Sequence, residues 1–261
     1  MTRARLLLAR PSRQSGFTIV EMMVALAISF IVILGFAVTF VNIKSTFVGQ
    51  DKVSQLQDNE RLAMSILTSA AQEAGYFPFP TTLDASQIVA SSDPTYGSMT
   101  AGQLVYGTSY SASPAAPESL SLAFAASAND GLITCQGHTI VASDISGAPS
   151  PANNSVGVRH IFYVDTANKT LNCIAMVNGN TGSAYGGGTT QPLVTNVASM
   201  SVLYGVIGSS GLTTSVVGYY PASGVTNWSN VKSVRVTLNF VNPNDASATI
   251  PWVQTINLLN R

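Results

Sequence analysis

The residue whose chemistry most needs a physical reason is Glu21. It stands at the head of a charge-free run of 22 residues, Met22 to Ile43, that ends at Lys44. An ionised carboxylate in such surroundings is costly unless it reaches water or a cation. One reading makes it an interfacial glutamate near lipid headgroups, favoured by the positive end of a helix dipole at the first turn. The other makes it half of an ion pair completed by a neighbouring chain. Leaving either charge unpaired there costs several kcal/mol, so such a pair would fix the register between helices. Directly before it, Gly16 and Phe17 set a glycine ahead of an aromatic at the edge of the apolar run.

Other reactive residue types are sparse and do not converge. Cys135 and Cys173 are the only cysteines, and they lack the close Cys-x-x-Cys spacing of a redox pair. His138 and His160 are the only histidines, with no His-Glu-x-x-His and no second cysteine pair, so a metal site lacks ligands and none is expected. Both histidines read as surface or strand-face residues. The glycines at 179, 182, 186, 187 and 188 lack the Lys-Ser/Thr ending and the strand–helix frame of a phosphate loop. Asp84, Asp93, Asp130 and Asp144 are scattered over expected loops. No catalytic constellation and no cofactor follow from these residues, and the chain reads as a non-enzyme.

The elements that must position Glu21 begin with the membrane. Of 261 residues, 46% are hydrophobic and only 9% charged, well below the usual quarter of a soluble protein. The net charge is zero but unevenly placed. Arg3, Arg5, Arg10 and Arg13 make the first sixteen residues +4, and the remainder is −4. No Lys/Arg stripe exists to neutralise phosphates, so no nucleic-acid partner is expected. The run from Met22 to Ile43 spans roughly 33 Å as a helix, enough to cross the hydrocarbon core. The arginines precede it, which puts the N-terminus in the cytoplasm and everything after Lys44 outside. Outside the cytoplasm, Cys135 and Cys173 read as one structural disulfide closing a loop of about 39 residues, a crosslink contributing roughly 4 kcal/mol.

The helical signal continues beyond Lys44. Val53, Leu56, Ala63, Leu67, Ala70 and Ala74 follow 3–4 spacing, with Glu60 interrupting the stripe. No proline occurs from Phe17 to Phe77; Gly75 suits a C-cap, and Pro78 and Pro80 stop any continuation. From Tyr76 onward, short apolar runs alternate with Gly, Pro, Ser and Asn clusters, a β-rich texture. Strands are expected at Leu120–Phe124, at 160–164 and 171–177 as a hairpin, at Val234–Phe240, and from Ile250 to Leu259. The fold class is therefore α+β, a long N-terminal helix, transmembrane then amphipathic, packed on an antiparallel β-sheet head. The expected divisions are 1–16, 17–44, 45–75 and 76–261.

Gly16-Phe17-Thr18-Ile19-Val20-Glu21, with the apolar run after rather than before the candidate cleavage point, resembles the class III leader of type IV prepilins and type II secretion pseudopilins. The resemblance implies that a prepilin peptidase cleaves after Gly16 and methylates Phe17. It also implies that Glu21 pairs with the free ammonium at Phe17 of a neighbouring subunit. Gln55 to Ala63 and Ala74-Gly75-Tyr76 resemble PilW-type minor pilins, with Asp58 in place of the usual glutamate. So do Cys135-Gln136-Gly137, Arg159 to Val164, Leu171-Asn172-Cys173, Val202 to Val206 and Val231 to Leu238. The implied function is a minor type IV pilin that helps initiate assembly near the pilus tip, in adhesion and twitching motility. Its implied partners are other minor and major pilins, the peptidase and the inner-membrane assembly platform. The implied location is the inner membrane with a periplasmic head, then the pilus. A minor pseudopilin of type II secretion, and a tip adhesin presenting the loops at 84–118 and 178–192, are the alternatives.

Overall fold

The computed structural model describes residues 16–78, 88, 90–109, 111–112, 115–128, 130–146, 155–177, 190–208 and 215–258. The four leader arginines, Pro80, Asp84, Leu259 and the glycine cluster lie outside the described residues, as does most of the loop at 178–192; the expected loop at 84–118 instead carries five short strands. The chain divides into two units, 1–51 and 52–261.

In chain order, the elements are α1 (Ile19–Glu73), β1 (Ser91–Asp93), β2 (Gly97–Met99), β3 (Val105–Thr108), β4 (Ser111–Ala112), β5 (Ala115–Ala116), β6 (Ser119–Ser127) and α2 (Ala142–Ser146). They continue with β7 (Ser155–Asp165), β8 (Thr170–Val177), β9 (Gln191–Thr195), β10 (Val197–Ile207), β11 (Val216–Tyr220), β12 (Val231–Asn242) and β13 (Asp245–Asn257). The single unbroken α1 matches the proline-free stretch of the sequence.

Within 52–261, α1 buries Leu56, Glu60, Ala63, Met64, Leu67, Ala70 and Ala71, a 3–4 spaced face. Val53 was expected on that face but is 37% exposed. Gly75 has φ +78°, the left-handed cap that glycine adopts without Cβ strain. Its N–H donates to the Ala123 carbonyl at 2.9 Å, and Ala125 N–H donates to the Tyr76 carbonyl at 2.9 Å, so the helix end is stitched onto β6.

The strands form two main antiparallel sheets rather than the single one the sequence suggested. One has the order β11-β10-β12-β13 and the other β3-β6-β7-β8-β9. The main core joins α1 to Val202, Tyr204, Val234, Val236, Leu238 and Phe240 of the first sheet and to Leu120, Leu122, Phe162 and Leu171 of the second. On β12 the alternation is as expected, with Val234, Val236, Leu238 and Phe240 at 0% exposure and the intervening residues facing away. Residues 119–126 of β6 and 155–164 of β7 are buried on both faces. Tyr204 Oη donates to the Ser119 carbonyl at 3.3 Å, tying the sheets together. A Cβ at Gly107 would collide with that hydroxyl and with the Ser119 carbonyl, so no larger residue fits there. The expected hairpin joins β7 and β8, and Asp165 Oδ1 accepts from Ala167 N–H at 2.9 Å and Asn168 N–H at 3.1 Å in its turn.

Two polar residues on β7 show what double-sided burial demands. The Arg159 guanidinium donates to Ser91 Oγ, the Gly97 and Tyr96 carbonyls and Ser121 Oγ at 2.9–3.1 Å. It thereby fixes the β1–β2 hairpin against the sheet. Burial pushes its pKa down to about 10, with Asp93 opposing the shift. His160, expected on a surface or strand face, is on a strand face and buried. Cys135 N–H donates to its Nε2 at 3.1 Å, and burial pushes its pKa down to about 4, so the ring is neutral at pH 7. Cys135 and Cys173 form the expected disulfide, with Cα atoms 6.3 Å apart.

Glu60 is 3% exposed, and its carboxylate is in no ion pair or hydrogen bond among the described residues. Burial raises its pKa above the ordinary 4.5. Below the unfolded-state value the carboxyl is neutral in both states and destabilises nothing. As pH rises through the raised folded value, that stability is lost. Glu60→Leu is expected to stabilise the full-length protein in detergent by about 1–3 kcal/mol at pH 7 and by less at pH 4. A substituted protein melting lower than the native one at pH 7 contradicts the assignment. The double variant Cys135→Ala with Cys173→Ala is expected to lose about 4 kcal/mol of head stability in denaturant titrations. An unchanged midpoint would mean that the crosslink does not constrain the unfolded chain.

Candidate assembly interface

Phe17 and Gly16 precede the first turn of α1, and both are exposed. The turn is built by Thr18. Its Oγ1 accepts from Glu21 N–H at 3.3 Å, and its carbonyl accepts from Met22 N–H at 3.1 Å. Thr18 is thus the N-cap, and Thr18-Ile19-Val20-Glu21 has the Ser/Thr-x-x-Glu pattern of a capping box. The sequence reading took Thr18 only as a member of the leader motif. That four-residue pattern was the signal that could have shown its role. Glu21 is the one acid of the first turn, where the helix dipole favours it.

From Met22 to Ile43 the helix offers no charged side chain for Glu21 to pair with. The Glu21 carboxylate meets no cation among the described residues. The large apolar side chains from Phe17 to Val48 are between 48% and 81% exposed on every face of the helix. A patch of that size does not persist in water and marks a lipid or protein contact. The helix is long and apolar enough to cross a membrane, with a mean hydropathy of 2.8 over its most apolar window. Its few hydroxyls are satisfied internally. Ser29 Oγ donates to the Ala25 carbonyl at 2.7 Å, Thr39 Oγ1 to Gly35 at 2.9 Å and Thr46 Oγ1 to Asn42 at 3.0 Å. Back-bonding of this kind removes the cost of carrying polar atoms in hydrocarbon.

Elsewhere the sequence-derived residues do not gather into a catalytic site. His138 Nε2 lies 2.9 Å from Asp144 Oδ2, and the same carboxylate oxygen accepts from Val141 N–H at 2.9 Å, which holds the start of α2. Asp130 accepts from Ser127 N–H and Oγ at 2.8 and 2.6 Å, a local turn. Asp93 accepts from Thr95 and Tyr96 N–H at 2.8 and 2.9 Å. Each carboxylate is thus engaged in its own loop. Among the described residues no three His, Cys, Asp or Glu side chains are grouped to hold a metal.

Thr18 thus caps an apolar helix with one acid in its first turn, and a β-rich unit lies beyond it in the chain. The prokaryotic N-terminal methylation motif matches residues 11–37, a range containing Gly16, Phe17 and Glu21. The type IV pilus-assembly protein W family, PilW, matches residues 161–255, from β7 into β13. The segments 55–63, 74–76 and 135–137, which also carried the sequence resemblance, lie outside both ranges. No curated protein matches the chain.

Thr18→Val keeps the side-chain shape and removes the capping oxygen. In the full-length protein in micelles, amide exchange at Glu21 and Met22 is expected to accelerate about fivefold, the equivalent of a ~1 kcal/mol cap. Unchanged exchange would show that Thr18 does not hold the turn.

Proposed function

We propose that the chain is a minor type IV pilin that is processed after Gly16, methylated at Phe17 and incorporated near the pilus tip, where it helps initiate assembly. The observation that carries this is the place of the processing motif. It lies before the apolar helix, so removal of residues 1–16 leaves the whole of α1 on the exported body. A secretory signal has its cleavage site on the far side of its apolar segment. Retention of a helix this apolar implies a membrane first and a bundle of like helices afterwards.

In that bundle Glu21 receives the Phe17 ammonium of a neighbouring subunit. Cleavage creates that cation, so the carboxylate and its partner become available together. The low dielectric around them makes a mismatched neighbour costly by several kcal/mol, which sets the axial register. The partners on this reading are the peptidase, the inner-membrane assembly platform and other minor and major pilins, with 52–261 in the periplasm before assembly. The methylation motif alone suits pseudopilins equally well; the match over 161–255 to a pilus-assembly family favours the pilus.

Replacing Gly16 with valine is expected to leave a precursor that begins at Met1 and is absent from sheared pili, read by N-terminal sequencing and immunoblotting. Normal maturation of that variant would refute the leader assignment. Glu21→Ala is expected to be cleaved normally, yet to fall at least tenfold in the pilus fraction. Full incorporation of this variant would remove the register role.

A further inference from the structure

The strand edges of 52–261 are protected unequally. β11 has five residues and pairs through an irregular register. β9 also has five residues, with Pro192 and a register shift, and β3 has only four. β13 has thirteen residues, carries no charged side chain after Asp245, and among the described residues pairs with β12 alone. Natural edges of this length are normally blunted by charge, bulges or shortness; β13 has Asp245 and a register shift at its start and Pro251 further on, and no such device over residues 252–257. Half of the backbone N–H and C=O groups of β13 point away from β12 and have no ladder partner.

Its side chains show the same incompleteness. Trp252 and Gln254 stand opposite Leu238 and Val236, whose side chains are fully buried on the face toward α1. Gln254 Nε2 donates to Thr68 Oγ1 at 3.1 Å. Yet the Trp252 side chain, on that same inward face, remains 39% exposed. It borders an open groove of about 450 Å³ between β13 and α1, lined also by Arg61, Met64, Ser65 and Thr68. The sheet stops one strand short of covering the helix. A strand added about 4.8 Å beyond β13 would direct alternate side chains over Met64, Ser65 and the indole while completing the ladder. Arg61 at the groove is in no ion pair among the described residues, which calls for a carboxylate on whatever enters. Tryptophan and arginine are the side chains that most often dominate binding energy at protein interfaces.

Resting on the reading of the chain as a filament subunit, we propose that β13 and this groove receive an extended, carboxylate-bearing strand from a different pilin-like subunit. A low-copy subunit has other sequences, not copies of itself, as neighbours. The added strand joins the sheet antiparallel or parallel to β13, and its carboxylate meets the Arg61 guanidinium.

The test uses the full-length protein in piliated cells, with the photoreactive residue p-benzoylphenylalanine replacing Val253 or Thr255, and replacing Val217 on β11 as the control edge. Val253 and Val217 are 57% and 68% exposed, so the substitutions leave the core intact. In sheared pili, positions 253 and 255 are expected to cross-link to one extended segment of another pilin-like subunit that contains Asp or Glu. Position 217 should not reach that segment. Arg61→Glu is expected to lower incorporation at least tenfold with an unchanged melting temperature, and lysine in place of the cross-linked acid should restore it. Native incorporation of the Arg61 variant overturns the proposal. So does a chain present in pili without adducts at 253 and 255, or with adducts only to lipid, to a second copy or to a non-pilin protein. Absence of the unsubstituted chain from sheared pili overturns the filament reading itself, and is seen before any substitution is made.

Discussion

Burial of one helical face sets the form of residues 52–261. Leu56, Ala63, Met64, Leu67, Ala70, Ala71 and Ala74 make a stripe in which large residues alternate with alanines. Leu56, Met64 and Leu67 share one core with buried residues of β6, β10 and β12. Residues of both sheets meet this stripe in one core. Removing it would expose the Val234, Val236, Leu238 and Phe240 side chains that share this core. The left-handed Gly75 and the bonds from Gly75 and Ala125 then convert the end of the helix into the beginning of a sheet ladder. Local backbone chemistry and tertiary packing meet at that single residue.

The same covalent helix carries a second pattern before Asp51. There the apolar residues surround the axis rather than forming a stripe, which is the signature of a segment meeting apolar neighbours on all sides. No stripe means no preferred rotation against a single partner. In the proposed bundle, rotation and register would have to come from the few polar features present, and only Glu21 is charged between Phe17 and Ile43. A lone carboxylate is a weak contributor to stability but a strong discriminator, because its cost when unmatched exceeds its gain when paired. Thr18 supports that role by fixing the first turn from which Glu21 projects.

Features governed by local sequence were legible before the structure. The absence of proline set the extent of α1, φ-permissive Gly75 set its end, and period-two alternation marked β12. The β7–β8 hairpin was visible from two apolar runs around Asp165. Contacts between distant segments were not legible. Nothing near Arg159 in sequence announces Ser91, Tyr96, Gly97 and Ser121 as its acceptors, because the hairpin that supplies most of them is brought in by topology. The split of the strands into two sheets was likewise hidden, since alternation identifies a strand but not its neighbours. Val53 fell outside the core despite correct spacing, because a periodic pattern cannot say where along a helix its packing partner begins. Thr18 was missed for a different reason: its motif was read as a processing signal and not also as a cap.

Arg159 and His160 are consecutive on β7 and therefore point to opposite faces, yet both are buried. A strand enclosed on both sides gains more from aliphatic residues than from a guanidinium and an imidazole. Arg159 uses three donors to hold a hairpin and one on Ser121 of β6, while its Nε and the His160 Nδ1 have no acceptor among the described residues. The gain is positional: Arg159 fixes where β1 and β2 lie, and His160 fixes Cys135 opposite the strand that carries Cys173. A loop already held by that hydrogen bond brings the two sulfurs together with less loss of chain entropy than a free one. The neutral ring and the disulfide therefore hold the same loop twice, one through the Cys135 backbone and the other through its side chain.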